Sequence, residues 1–182
     1  MRGPILTRVR HLGIDAHRRI AVDLNPDVVS RADPGVETMV TRSDDLAEIA
    51  DATVDRVFVS NFFEHVDRSV ILSTLIEVRR VLRDDGRLLV LQPNIRYCAR
   101  DYWMFFDHVT PVDDRALAEA FEATGFDVEL SIPRFLPFTT KSRFPADPRL
   151  VAIYLRFPLA WKIVGAQAFM VGRPVGDPGA GR

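Results

Sequence analysis

EVRRVLRDDGRLLVLQPN, residues 77–94, holds the end of a helix, a turn and a strand in one run. Just upstream, Ile71, Leu72, Leu75, Val78, Val81 and Leu82 recur at three- and four-residue intervals, the spacing of one apolar face of an α-helix. Asp84-Asp85-Gly86 closes that helix as a turn. Arg87 to Gln92 then reads as a strand that is apolar throughout its centre. A strand without polar alternation suits a sheet covered on both faces.

The same alternation of strands and helices extends outward. Val54–Ser60 (VDRVFVS), Val36–Thr41 and the run IAVDL ending at Asn25-Pro26 are earlier strands. Downstream, Asp113 or Asp114 caps a helix that runs to Thr124 and stops at Gly125. Phe126–Ile132 and Gln167–Val171 are strands, and Arg149–Val164 is helical with a kink at Pro158. Strands separated by helices predict an α/β fold with a mostly parallel sheet, its last two strands antiparallel at one edge. One domain is expected over residues 1–172. The Gly/Pro-rich end, 173–182, is expected to be a disordered tail.

Composition narrows the function. Of 182 residues 47% are hydrophobic, enough for a sizeable core, and the net charge is -1. That balance argues against a general nucleic-acid binder. Cys98 is the only cysteine, so no intrachain disulfide forms and a cytoplasmic setting is expected. Leu150–Val171 is the longest apolar stretch. Arg156, Pro158, Lys162 and Gly165 interrupt it, so no stable membrane insertion is expected, although Tyr154–Lys162 mixes aromatic and basic residues as surface-lying helices do. The four histidines, His11, His17, His65 and His108, lack the spacing of zinc ligands, and no metal is expected.

In sheets of this kind, ligands gather at the carboxyl ends of the strands. Asp23 ends a strand, where an acid can accept both hydroxyls of a ribose or simply hold a turn. Asp44 and Asp45 follow the next strand, placed either to meet an adenine amino group or to cap a turn. Asn61-Phe62-Phe63-Glu64-His65 follows the third. There Glu64 reads as a structural acid, while His65 is open to a role as a base. Asp107-His108 lies in an aromatic connection, Tyr97 to Phe106, placed as a substrate lid would be. His108 is either a general base or a satisfied buried histidine.

Taken in order, AVDLNPD (21–27), SDDL (43–46), VDRVFVSNFFEHV (54–66) and EVRRVLRDDGRLLVLQPN (77–94) resemble the successive motifs of class I S-adenosylmethionine (SAM) dependent methyltransferases. DHVTPVDDRALAEAFEATGF (107–126) resembles the next element of the methyltransferase-11-like subgroup. The resemblance covers about residues 19–172 and implies a Rossmann-like fold with SAM as cofactor. It implies that Asp23 binds the ribose and Leu24 packs on the adenine. Asp45 would meet the adenine amino group with Leu46 beside it, and Asn61 would face the methionine half. His108 and His65 are the candidate catalytic bases. The family also opens with a strand and a glycine-rich loop, and only 18 residues precede Arg19. Gly3 and Gly13 stand alone there, and Ile5, Val9 and Leu12 look like the remains of the helix after that loop. A missing first strand, central between those ending at Asp23 and Ser60, is therefore expected, through a misassigned start codon or a degenerate gene.

The function expected is methyl transfer from SAM to a small molecule, for which the aromatic residues favour an apolar or ring-containing acceptor such as a glycan or lipid precursor. A catalytically inactive remnant that binds a partner or forms a homodimer is the alternative. A nicotinamide-dependent oxidoreductase also uses an acid at Asp23's position, but the EHV loop and the RRVLRDDGRLLV element argue against it.

Overall fold

The computed structural model describes residues 16–138 and 148–176. They belong to two compact units divided between Ile49 and Ala50.

In the first unit, β1 (Ile20–Asp23) pairs in parallel with β2 (Glu37–Val40), with Asp23 opposite Val40. Parallel neighbours need a crossover, and the short helix α1 (Pro26–Val29) lies within it. Asn25 starts α1 by accepting the Asp27 N–H at 2.9 Å, and Pro26 sits where a missing N–H costs nothing.

The second unit runs β3 (Val54–Ser60), α2 (Arg68–Val81), β4 (Leu82–Pro93), α3 (Ile95–Tyr102), α4 (Asp114–Ala123), β5 (Phe126–Ile132), α5 (Pro148–Leu155), α6 (Pro158–Val164) and β6 (Gln167–Pro174). Its sheet has the order β3-β4-β6-β5. β3 and β4 are parallel, and β6 is antiparallel to both β4 and β5. Three strands thus share a direction and β6 alone is reversed. β5 and β6 pair antiparallel as the sequence predicts, with the reversed strand one place in from the edge and β5 outermost. Among the described residues β1 pairs only with β2, and β3 only with β4.

One face of this sheet carries the core. Leu88, Val90, Phe126 and Met170 meet Ile71, Leu75 and Val78 of α2 and Leu117 and Phe121 of α4. Each such side chain contributes about 1.5–3 kcal/mol on burial. Asp113 is the acid that caps α4, accepting the Arg115 and Ala116 N–H groups at 3.0 and 2.8 Å. Gly125, at φ +83°, ends the helix in a left-handed turn. In the ladder, Gly172 lies opposite Leu88 and Val128. A Cβ there would sit 2.8 Å from the Phe121 ring, so the ring is seated where no side chain rises.

Several elements differ from the sequence reading. α2 passes straight into β4 at Leu82. Val54 pairs with Leu82 and Arg56 with Arg87, so Asp84-Asp85-Gly86 is an excursion between two rungs of the ladder. α3 was not expected. Asn94 caps it through the Arg96 N–H, and it is broken at Cys98, whose φ of -130° is not helical. Pro158 begins a new helix rather than kinking one. β6 extends to Pro174 and takes in the first residues of the expected tail. Residues 177–182 lie outside the described residues, as does the helix read at Ile5, Val9 and Leu12. Among the described residues no helix is long and apolar enough to cross a membrane.

Replacing Gly172 by Ala is expected to cost roughly 1–3 kcal/mol by overpacking against Phe121. Urea denaturation measures it, with Gly176→Ala as the control, since a Cβ at Gly176 meets nothing within 4 Å. Equal midpoints for the two variants would refute the packing role of Gly172.

Candidate active site

In the second unit, the chain leaves β3 through Asn61, whose φ of 47° lies in the left-handed region. Asn tolerates this conformation better than most residues. Its N–H stays on the ladder, donating to Leu91 O at 2.9 Å, and its side-chain amide donates to Ser60 Oγ at 3.2 Å. A single 3₁₀ turn, Phe63–His65, follows.

That turn buries an acid. Glu64 is 2% exposed and its Oε2 has no hydrogen-bond partner among the described residues. Burial pushes its carboxyl up to about 7, opposed by backbone hydrogen bonding and by His65. His65 Nδ1 lies 3.2 Å from Asp107 O and 3.3 Å from Asp107 Oδ2. Donation there places the proton on Nδ1 and leaves the Nε2 lone pair facing Glu64 Oε1 at 3.8 Å.

His108 completes the cluster from 43 positions along the chain. It is 8% exposed and its Nδ1 has no partner among the described residues. Its ring stacks on Phe105 at 4.8 Å and meets the edges of Tyr102 at 4.6 Å and His65 at 4.9 Å. Burial and then the neighbouring His65 hold His108 below the usual histidine range, so it is neutral and able to accept a proton near pH 7. The donor atoms of Glu64, His65 and His108 all lie within 4.8 Å of one another. The backbone joins the two segments: Val109 N–H and Thr110 N–H both donate to Glu64 O, at 2.9 and 3.3 Å. Thr110 Oγ1 donates to Val66 O at 2.6 Å.

The end of β4 is held by a second polar group. Asn94 is wholly buried and donates to Asp114 Oδ1 at 2.7 Å and Pro133 O at 3.0 Å. Arg96 pairs with the same carboxylate at 2.8 and 3.1 Å. Gln92, one turn of the pleat earlier, is buried with neither side-chain polar atom partnered among the described residues.

The first unit holds the remaining residues read from the sequence. Asp23 is half-buried at the end of β1, and its Oδ1 accepts the Asn25 N–H at 2.8 Å. Leu24 is exposed, Asp45 is exposed and Leu46 is buried. Arg42 clamps Asp44 with two bonds of 2.7 and 2.8 Å. The structure thus brings His65 and His108 together and adds Glu64, which the sequence reading took as structural. The signal for Glu64 was an acid directly after two aromatics, one of which had to be core.

A family model described as a methyltransferase domain matches residues 3–90. Solved methyltransferases share the fold. A SAM-dependent methyltransferase from Archaeoglobus fulgidus is 17% identical, with 85% of this chain and 75% of that chain covered and a TM-score of 0.63. A Haloferax volcanii methyltransferase, solved with the Trm112 methyltransferase activator, is 18% identical over 94% and 77%, with a TM-score of 0.66. Geranyl diphosphate C-methyltransferase from Streptomyces coelicolor A3(2), solved with Mg2+, geranyl diphosphate and S-adenosyl-L-homocysteine, is 13% identical over 87% and 63%, with a TM-score of 0.58. No curated protein matches the sequence. The solved structures share the Rossmann-like methyltransferase fold, and the family match over residues 3–90 supports a class I SAM-dependent methyltransferase.

Raising the Glu64 carboxyl from 4.5 to about 7 links folding to pH. The folded chain holds this proton more tightly than the unfolded one. The corresponding stability, roughly 3 kcal/mol, is full below about 4.5 and is lost as pH rises towards 7. Glu64→Gln is expected to flatten that decline in denaturant melts taken from acid to neutral pH. A slope unchanged by the substitution would mean that the proton is held elsewhere.

Proposed function

We propose that the chain transfers a methyl group from SAM to an O, N or C atom of a small apolar or ring-bearing acceptor, with His108 taking the acceptor's proton. The observation that carries this reading is buried His108 against half-buried His65, beside Glu64 at the carboxyl end of β3, with unpartnered polar atoms on both Glu64 and His108.

Asp23 fits a ribose. Its carboxylate stands at a strand end, and with one lone pair on the Asn25 N–H it keeps acceptor capacity for two hydroxyls. The adenine falls to exposed Leu24, with Asp45 and Leu46 on the amino side, and the methionine half to Asn61. When bound, SAM supplies the electrophilic methyl group.

The protein's own part is positioning and proton transfer. His108 is neutral because its burial and His65 disfavour the charged ring. Asp107 fixes the His65 tautomer, and Glu64 stands 3.8 Å from the free nitrogen of that ring. Phe105 stacks on His108 and contacts Phe138 at 5.8 Å, an aromatic lining that favours a ring or an isoprenoid-like chain over a charged acceptor. A glycan or lipid precursor meets that description.

Calorimetric titration with S-adenosylhomocysteine is the test. Micromolar binding is expected, weakened about tenfold or more by Asp23→Asn, since a neutral amide loses the charge-assisted bonds to the ribose. His108→Ala is expected to lower turnover about 10²- to 10⁴-fold with little change in SAM affinity. A folded chain that binds no S-adenosylhomocysteine sinks the reading. Equal loss of turnover and SAM affinity removes His108 from the role of base.

A further inference from the structure

Helices α5 and α6 turn apolar side chains to solvent along their whole length. Val151, Ile153, Leu155 and Phe157 are exposed, Leu159 and Ile163 are each 75% exposed, and α6 buries no residue. The hairpin is nevertheless firmly held from beneath. Arg134 donates to Gly165 O at 2.8 Å and Ile163 O at 2.6 Å, closing the end of α6. Tyr154 OH donates to Phe135 O at 2.6 Å, Trp161 Nε1 donates to Tyr154 O at 3.1 Å, and the Trp161 ring meets Phe135 edge-on at 5.0 Å. Its outer residues are therefore fixed in place facing water, at a cost that a covering surface would relieve.

The charges identify the covering surface. Residues 148–164 contain Arg149, Arg156 and Lys162 and no acid. Over 130–176, Lys and Arg outnumber Asp and Glu seven to one, in a chain whose totals are 24 and 25. A second copy of the same patch would set exposed Arg156 and Lys162 against their own counterparts. Leu, Ile, Phe and Trp interleaved with cations alone is the pattern of a helix lying in the interface of an anionic bilayer. A second exposed apolar group, Trp103, Met104 and Phe106, flanks Phe105, whose ring contacts Phe138 and stacks on His108. Three residues before Phe138, Phe135 packs on Trp161 of α6.

We propose that α5 and α6, with the Trp103–Phe106 loop, form a peripheral docking surface for an anionic phospholipid bilayer. It lies in the headgroup region and does not span the membrane. Docking needs neither SAM nor acceptor, so its failure and that of methyl transfer are told apart.

The test is co-sedimentation of the full chain with vesicles of phosphatidylcholine alone or mixed with phosphatidylglycerol. Binding is expected to the mixed vesicles and to fall as salt is raised. Arg156→Glu with Lys162→Glu is expected to lower partitioning at least tenfold, each basic residue near the surface being worth roughly fivefold (about 1 kcal/mol). Leu159→Ser with Ile163→Ser is expected to lower it about tenfold or more by removing buried methylenes. Ile76→Ser, on exposed α2 surface, serves as the control and should leave binding unchanged. Circular dichroism melts confirm that each variant is folded. Failure of the unmodified chain to sediment with either vesicle overturns the proposal. So does equal loss in the Ile76 variant, or a lipid-free dimer that the Leu159/Ile163 variant dissociates.

Discussion

Phe63 is the anchor on which the acid–base cluster depends. It is wholly buried among Leu75, Leu88 and Phe121 and their neighbours, and withdrawing a core phenylalanine costs about 3–5 kcal/mol. Glu64 follows it directly in a 3₁₀ turn, so its carboxyl is drawn into a region that it would not enter by its own solvation. Hydrophobic packing thus supplies the energy that perturbs the acid. The Glu64 carbonyl then accepts from Val109 and Thr110, which fixes His108 against the same turn. One apolar residue therefore sets the surroundings of two titratable ones.

Much of the fold was legible in the sequence. β3 and β5 fall on the residues read for them, because their apolar runs are bounded by clear turns. α2 was visible through its 3.6-residue period. α3 was not: only Ile95, Cys98 and Tyr102 mark its apolar face, over barely two turns, and its helix is broken at Cys98. A further signal was Asn94, a good cap placed directly after a strand. Pro158 was read as a kink because proline is unwelcome in mid-helix, yet the same residue is favoured at a first turn, and the second tendency won. In the site, His65 and His108 each stood out as candidate bases, but their contact was not legible, since nothing local relates residues 43 apart. Glu64 read as a structural acid because an acid just after a strand commonly holds a backbone group; the 3₁₀ turn instead brings its carboxyl within reach of His65 and His108.

The polar groups at the end of β4 play a different part. Asp114 is buried, and a buried carboxylate left alone would be severely destabilising. Arg96 and Asn94 compensate it together, and Asn94 also holds Pro133 O. This ties the start of α3, the start of α4 and the segment after β5 to one point. The chain on which Tyr102, Phe105 and His108 ride is thereby fixed at its entry and, through Thr110, at its exit.

The place of β6 bears on how the chain is made. β5 has β6 as its only strand partner among the described residues, and β6 comes 35 positions later in the sequence, from Ile132 to Gln167. While the ribosome is still translating α5 and α6, β3 and β4 can already pair, yet β5 has no neighbour to zip against and β4 shows an unpaired flank. Closure of this sheet is then a late, non-local event, of the kind that folds slowly. A growing chain paused short of Gln167 would expose two sheet edges at once, a state that invites chaperone capture or association with another nascent copy.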